Sequence, residues 1–338
     1  MVHLVGIKIK QLIMTRSNIF LILTVAFTSS ILHAQFTDVI NSNRPGKSMA
    51  AFSVGKTVIQ AEMGFYGISE KHDLLGYKTK GIGTDLSLRY GAFLEQLEFN
   101  LDLQYQNDTY KTDIENSNRK AFKQTTIGAK YLLYDPNKNY EEKVNLLSWK
   151  ANHKFNYRNL IPSIGVYAGL NVNLSNNEFS FPTDPKISPK VMLMTQNQFG
   201  KFVFVTNIIA DKIGTDFPSY GYVLSLTRGF TPKWTGFLET QTYISDFYAD
   251  NVARGGLAYL IQENIQIDAN FGVNFKNTPS ILVAGIGISW RFDKNYNDVM
   301  LRNPKDKSEK DKKGSDKKGK DKDKSKKRVD DVPASKGN

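Results

Sequence analysis

The chain has 338 residues, no cysteine, and 45 Lys plus Arg against 33 Asp plus Glu. Without cysteine, a disulfide framework and thiolate metal sites are excluded. The basic excess is local: 15 of the 45 basic residues, but only 8 of the 33 acidic ones, lie from Leu301 onward. The high pI therefore belongs to the C-terminal end and does not indicate a nucleic-acid-binding domain.

Residues 1–35 read as a secretory signal peptide. Ile19 to Leu32 is an apolar run after Arg16, and His33-Ala34-Gln35 follows with a small residue at the expected cut. The run is short for a spanning helix, which needs ~20 apolar residues. No cysteine follows it, so a lipoprotein anchor is excluded. Phe36 to Ala51 is a polar lead-in with a turn signal at Asn43-Arg44-Pro45-Gly46.

From there the chain alternates. Successive side chains of a strand point to opposite faces, so strict alternation of apolar and polar residues marks a strand with unlike faces. Thr57 to Phe65 places Ile59, Ala61, Met63 and Phe65 on one face and Gln60, Glu62 and Gly64 on the other. Gly67 to Gly81 is a polar loop. Thr84 to Tyr90 follows, with Asp85, Ser87 and Arg89 on the polar face. The clearest stretch is Leu97 to Asn107, LEFNLDLQYQN, whose polar face carries Glu98 and Asp102. Asp108 to Ala121 is a charged loop, and Thr125 to Leu133 is the fourth strand, with Lys130 on the polar face. Asp135 to Asn159 is the longest connection, with room for a short helix.

Ile161 to Leu174 resumes the alternation, and Ser175 to Pro189 is a loop rich in Asn and Pro. Val191 to Phe199 and Lys201 to Asp211 pair around Gly200, with mixed faces. Tyr220 to Gly229 and Trp234 to Tyr243 follow, then Val252 to Ile261 and Ile265 to Phe275, the last placing Asp268 on its polar face. Ile281 to Phe292 is the final strand. About twelve strands result, an even number as a closed bacterial barrel requires. Behind an export signal, this pattern predicts an all-β transmembrane antiparallel up-and-down β-barrel over residues 36–292, apolar face to outer-membrane lipid and polar face to a lumen. With both termini in the periplasm, the short links fall on the periplasmic side and the long ones outside, except Asp135 to Asn159, a long connection on the periplasmic side. Aromatic residues near strand ends supply interfacial girdles.

NSNRPGKS...VGKTVIQAE near the start, KYLLYD at the end of the fourth strand and the closing GIGISWRF resemble the outer-membrane proteins named for the MetA pathway of phenol degradation. The likeness is strongest to the Bacteroidetes-type members, which are called transporters. It spans about Phe36 to Phe292 and rests on the order of weak motifs. It implies a small barrel that admits small, aromatic or hydrophobic molecules in a Gram-negative outer membrane.

Catalytic chemistry is thin. His72 and His153 have no metal partner at ligand spacing, Gly81-Ile82-Gly83 and Gly285-Ile286-Gly287 are isolated, and no GxSxG or P-loop occurs. No enzyme, metal or cofactor is expected. Function is carried by the lumen-facing set Glu62, Asp85, Arg89, Glu98, Asp102, Lys130 and Asp268, with Glu239 and Arg291 beside it. Two readings stay open: a charged constriction that selects solutes in a pore, or a salt-bridged plug in a structural or binding barrel. Residues 293–338 interleave Lys and Asp with no aromatic after Tyr296 and are expected to be disordered. As a periplasmic tail they are either a tether to cell wall or anionic lipid, or a solubilising extension.

Overall fold

The computed structural model describes residues 39–138, 157–174, 177–180, 184–246 and 248–293. The expected signal peptide, nearly all of the expected tail and most of the Asp135 to Asn159 connection lie outside the described residues. Twelve antiparallel strands close into a barrel in sequence order, β1 pairing with β12. They are β1 (Ile59–His72), β2 (Tyr77–Gly91), β3 (Leu97–Lys111), β4 (Asn116–Tyr134), β5 (Ser163–Val172), β6 (Ile187–Phe199), β7 (Phe202–Asp211), β8 (Ser219–Gly229), β9 (Trp234–Ile244), β10 (Ala249–Gln262), β11 (Ile265–Asn274) and β12 (Ser280–Phe292). Closure leaves no sheet edge unpaired, which is the condition for strands to cross hydrocarbon. Among the described residues no helix is long and apolar enough to cross a membrane. Tyr157–Leu160 forms one 3-10 turn.

Every strand expected from the alternation is present, but two expected loops are not loops. Gly67 to Gly81 and Asp108 to Ala121 are mostly strand: β1 runs on to His72 and β2 starts at Tyr77, while β3 runs to Lys111 and β4 starts at Asn116. Only residues 73–76 and 112–115 turn. The physical reason lies in the solvent. A crossing strand needs about 9–11 residues, and the apolar face of β3 ends at Tyr105. Beyond that level both faces meet water, so alternation vanishes while the backbone ladder continues. Hairpins β1–β2 and β3–β4 thus extend past the membrane on one side, here called the far side. The chain enters β1 from the opposite, near side, where residues 92–96, 200–201, 230–233 and 263–264 make short links.

The outward face is apolar as expected, with aromatic pairs toward both ends. Trp234 and Tyr259 (4.8 Å between ring centroids) and Trp290 and Phe292 (5.9 Å) lie toward the near side, and Tyr105 and Phe122 (5.4 Å) toward the far side.

Candidate functional site in the barrel lumen

The polar lead-in is the centre of the lumen. Residues 39–58 enter from the near side, rise inside the barrel to a tip at Arg44-Pro45-Gly46-Lys47, and return to join β1. The segment has no strand or helix of its own. Its backbone N–H and C=O groups, which burial obliges to find partners, are met by inward side chains of the wall. Near the entrance the Ile40 N–H reaches the Glu263 carbonyl (2.8 Å). Arg89 and Gln60 donate to the Asn41 carbonyl (2.9 and 3.1 Å), and Ser42 and Ser289 join through their hydroxyls (2.7 Å). Glu62 accepts the N–H groups of Asn43 and Arg44 (3.3 and 3.2 Å). On the returning limb Glu239 accepts those of Lys47 and Ser48 (3.0 Å). Asn207 both accepts from Met49 N–H and donates to its carbonyl (2.7 and 2.8 Å), as a neighbouring strand would. Gln196 takes Ala51 N–H, Lys130 donates to the Phe52 carbonyl (2.8 Å), and Glu98 takes Val54 N–H (2.9 Å).

Two charge clusters hold this plug. Toward the near side Arg89 bridges Glu62 (3.0 Å) and Glu98 (2.8 Å), and Lys130 closes the chain on Glu98 (3.1 Å). All four side chains are essentially out of solvent. At the tip the Arg44 guanidinium forks onto Asp268 with two 3.1 Å bonds and reaches Asp85 at 2.8 Å, and Lys47 adds a second cation on Asp85 at 3.1 Å. A guanidinium is suited to this because its planar fork matches a carboxylate bidentately. The wall gives it room by lacking side chains. A Cβ at Gly64 would stand 2.2 Å from Arg44 Nη1, and one at Gly287 would stand 2.3 Å from its Nε. Gly287, from the second Gly-x-Gly piece that reads as an isolated fragment in sequence, is half of a cradle for Arg44.

The seven lumen-facing candidates are placed as follows. Glu62, Asp85, Arg89, Glu98, Lys130 and Asp268 all bond to the plug. Asp102 accepts from Ser87 Oγ (2.6 Å) and, among the described residues, makes no hydrogen bond to the plug. Of the two residues set beside them, Glu239 grips the plug, while Arg291 pairs with Asp293 (2.9 Å) at the end of β12. The cations of the tip cluster, Arg44 and Lys47, escaped the alternation because the plug has no period. The signals for them were the turn tetrapeptide, which holds Arg44, and the NSNRPGKS motif, which holds both.

The opposite wall is apolar. Met49 and Ala51 of the plug, with Phe52 beside them, pack against Met192, Met194, Ile209, Val223, Leu132 and Tyr167. This explains the mixed faces of β6 and β7: their inward side chains meet plug, not water. Two cavities remain against the plug, one of about 210 Å³ bordered by Val205, Phe237 and Gln266, the other of about 170 Å³ between Asp102, Gln104, Met192 and Tyr243. Among the described residues no group of three or more His, Cys, Asp or Glu could hold a metal ion.

The family described as "Putative MetA-pathway of phenol degradation" matches residues 42–292, which takes in most of the plug and the whole barrel. No curated protein matches the sequence. In fold the chain is similar to the COG4313 outer membrane channel from Pseudomonas putida F1, with 12% identity, a TM-score of 0.50, and 74% of this chain and 100% of that chain covered. Weaker likenesses include the TodX deltaS2S3 mutant monoaromatic hydrocarbon channel (9% identity, TM-score 0.42, 75% of this chain and 96% of that one) and the KdgM porin (11%, 0.40, 68% and 99%).

Proposed function

The chain belongs to the MetA-pathway of phenol degradation family, and we propose that it is an outer-membrane channel for small solutes that carry an apolar body and a polar group. The observation that carries this is the pair of unlike lumen walls. The β1–β4 side presents charges and amides, and the β6–β8 side presents Met192, Met194, Val205 and Val223. Small cavities lie between them against the plug. A ring with a hydroxyl or carboxyl matches such a surface, since binding sites combine an apolar lining with few placed polar groups. Six of the seven lumen-facing residues act here chiefly through the plug they hold, and Asp102 borders the cavity beside it. Passage then depends on how far residues 39–58 move.

In this reading the protein is no enzyme. It lies in the outer membrane of a Gram-negative bacterium with both termini periplasmic. Residues 1–35 direct export, and residues 293–338 extend into the periplasm toward cell wall or anionic lipid.

The bonding of plug to wall favours a second reading, a closed structural or binding barrel. Single-channel recording on refolded protein in a planar bilayer separates the two. Arg44→Ala removes the tip clamp, and the channel reading expects larger or more frequent openings than wild type. Silence from wild type, from Arg44→Ala and from a variant lacking residues 39–52, at every voltage and solute, leaves only the closed barrel.

A further inference from the structure

The outward face of the extended β1–β4 sheet carries a cluster of charge that the outward face of the other strands lacks. Phe65, Thr84, Tyr105 and Phe122 form one register row across the four strands. Past that row toward the far side, the outward positions hold Lys71, Lys78, Lys80, Lys111 and Lys120, all exposed, and no carboxylate. Lys78 stands directly opposite Lys71 on one side and Lys111 on the other. Like charges placed directly opposite on neighbouring strands destabilise a sheet, so the row invites an anion. The nearby carboxylates lie in turns and one loop, not on the strands: Asp73 pairs with Lys71 at 2.8 Å, exposed Asp113 and Glu115 stand in the β3–β4 turn, and Glu178 accepts the backbone N–H of Lys120. By contrast, the outward strand positions of β5 to β12 carry one charge, Arg228, which lies toward the near side.

Resting on the membrane reading above, we propose that this face binds the phosphate-bearing headgroup of an outer-leaflet glycolipid. The position fits. The lysines lie two to six residues past the aromatic row, roughly 7–20 Å along the strands, and point outward to where lipid headgroups stand. The chemistry fits as well. Compact ammonium groups neutralise phosphate as point charges, and Ser69, Thr109 and Asn118 share the same outward face as neutral donors. Contact is confined to one flank of the barrel, so the glycolipid is held on that flank only.

The test uses the full chain, refolded in neutral detergent, and follows thermal unfolding. A ligand that binds the folded state alone raises the midpoint. A bisphosphorylated diglucosamine glycolipid should raise it by several degrees, and the same glycolipid stripped of phosphate, or phosphatidylglycerol, should not. The combined variant Lys78→Gln, Lys80→Gln, Lys111→Gln, Lys120→Gln should lose most of the shift, Lys78→Gln alone a part of it, and Lys233→Gln on the near side none. An equal shift from the dephosphorylated glycolipid or from phosphatidylglycerol overturns the proposal, as does a full shift in both lysine variants. Orientation is read separately. The chain has no cysteine, so Ile114→Cys, at the fully exposed tip of β3–β4, should react with an impermeant maleimide on intact cells. No reaction there would overturn the membrane orientation itself, whereas reaction with no thermal shift would overturn the glycolipid site alone.

Discussion

Arg44 is held against the wall by Asp85 and Asp268 with almost no exposure of its own side chain. Removing one partner of a buried, hydrogen-bonded charge pair costs about 3–5 kcal/mol, because the other charge stays buried without compensation. The glycine cradle makes the same point without touching a charge. Gly287→Val puts methyl groups where the guanidinium lies, so Arg44 must leave Asp268. We expect that variant to form a barrel yet expose the plug, and limited proteolysis should cut within residues 39–52 faster than in wild type. Equal protection would mean that the cradle does not position Arg44. The wall half of this site was legible in the sequence, since Glu62, Asp85, Glu98 and Asp268 fall on the polar face of the alternation in β1, β2, β3 and β11. The plug half was not, because a segment whose backbone is satisfied by other elements' side chains carries no period of its own.

At the scale of the strand, the two faces answer to different solvents. Leu101 and Ile267 point to lipid, and arginine at such a site costs ~2–4 kcal/mol at the bilayer midplane. Leu101→Arg and Ile267→Arg should therefore reduce the yield of assembled barrel in lipid vesicles, read as the heat-modifiable band on a gel. Asp102→Asn, which keeps a hydrogen-bonding partner for Ser87, should assemble like wild type. Uniform assembly of all three would contradict the inside-out assignment. Alternation located each strand within hydrocarbon but could not end β1, β2, β3 and β4, whose outer thirds have water on both sides. It also wavered at β6 and β7, where apolar inward residues such as Met192, Met194 and Ile209 serve a core that only the plug completes.

For the whole molecule, the central claim is that residues 39–58 fill the lumen and that solute passage depends on their displacement. Ser42 and Ser289 offer the most direct handle. Their hydroxyl oxygens are 2.7 Å apart, close enough for cysteines at both positions to reach the ~2.0 Å of a disulfide. The plug would then be tied at Ser42 to β12 and at Val58 to β1, with the tip held between. The decisive measurement is single-channel current through the Ser42→Cys, Ser289→Cys double variant in a planar bilayer, recorded oxidised and then after reductant. The account predicts a silent or nearly silent oxidised barrel that opens to the wild-type pattern once reduced. Equal current before and after reduction, with the disulfide verified by mass spectrometry, would contradict it.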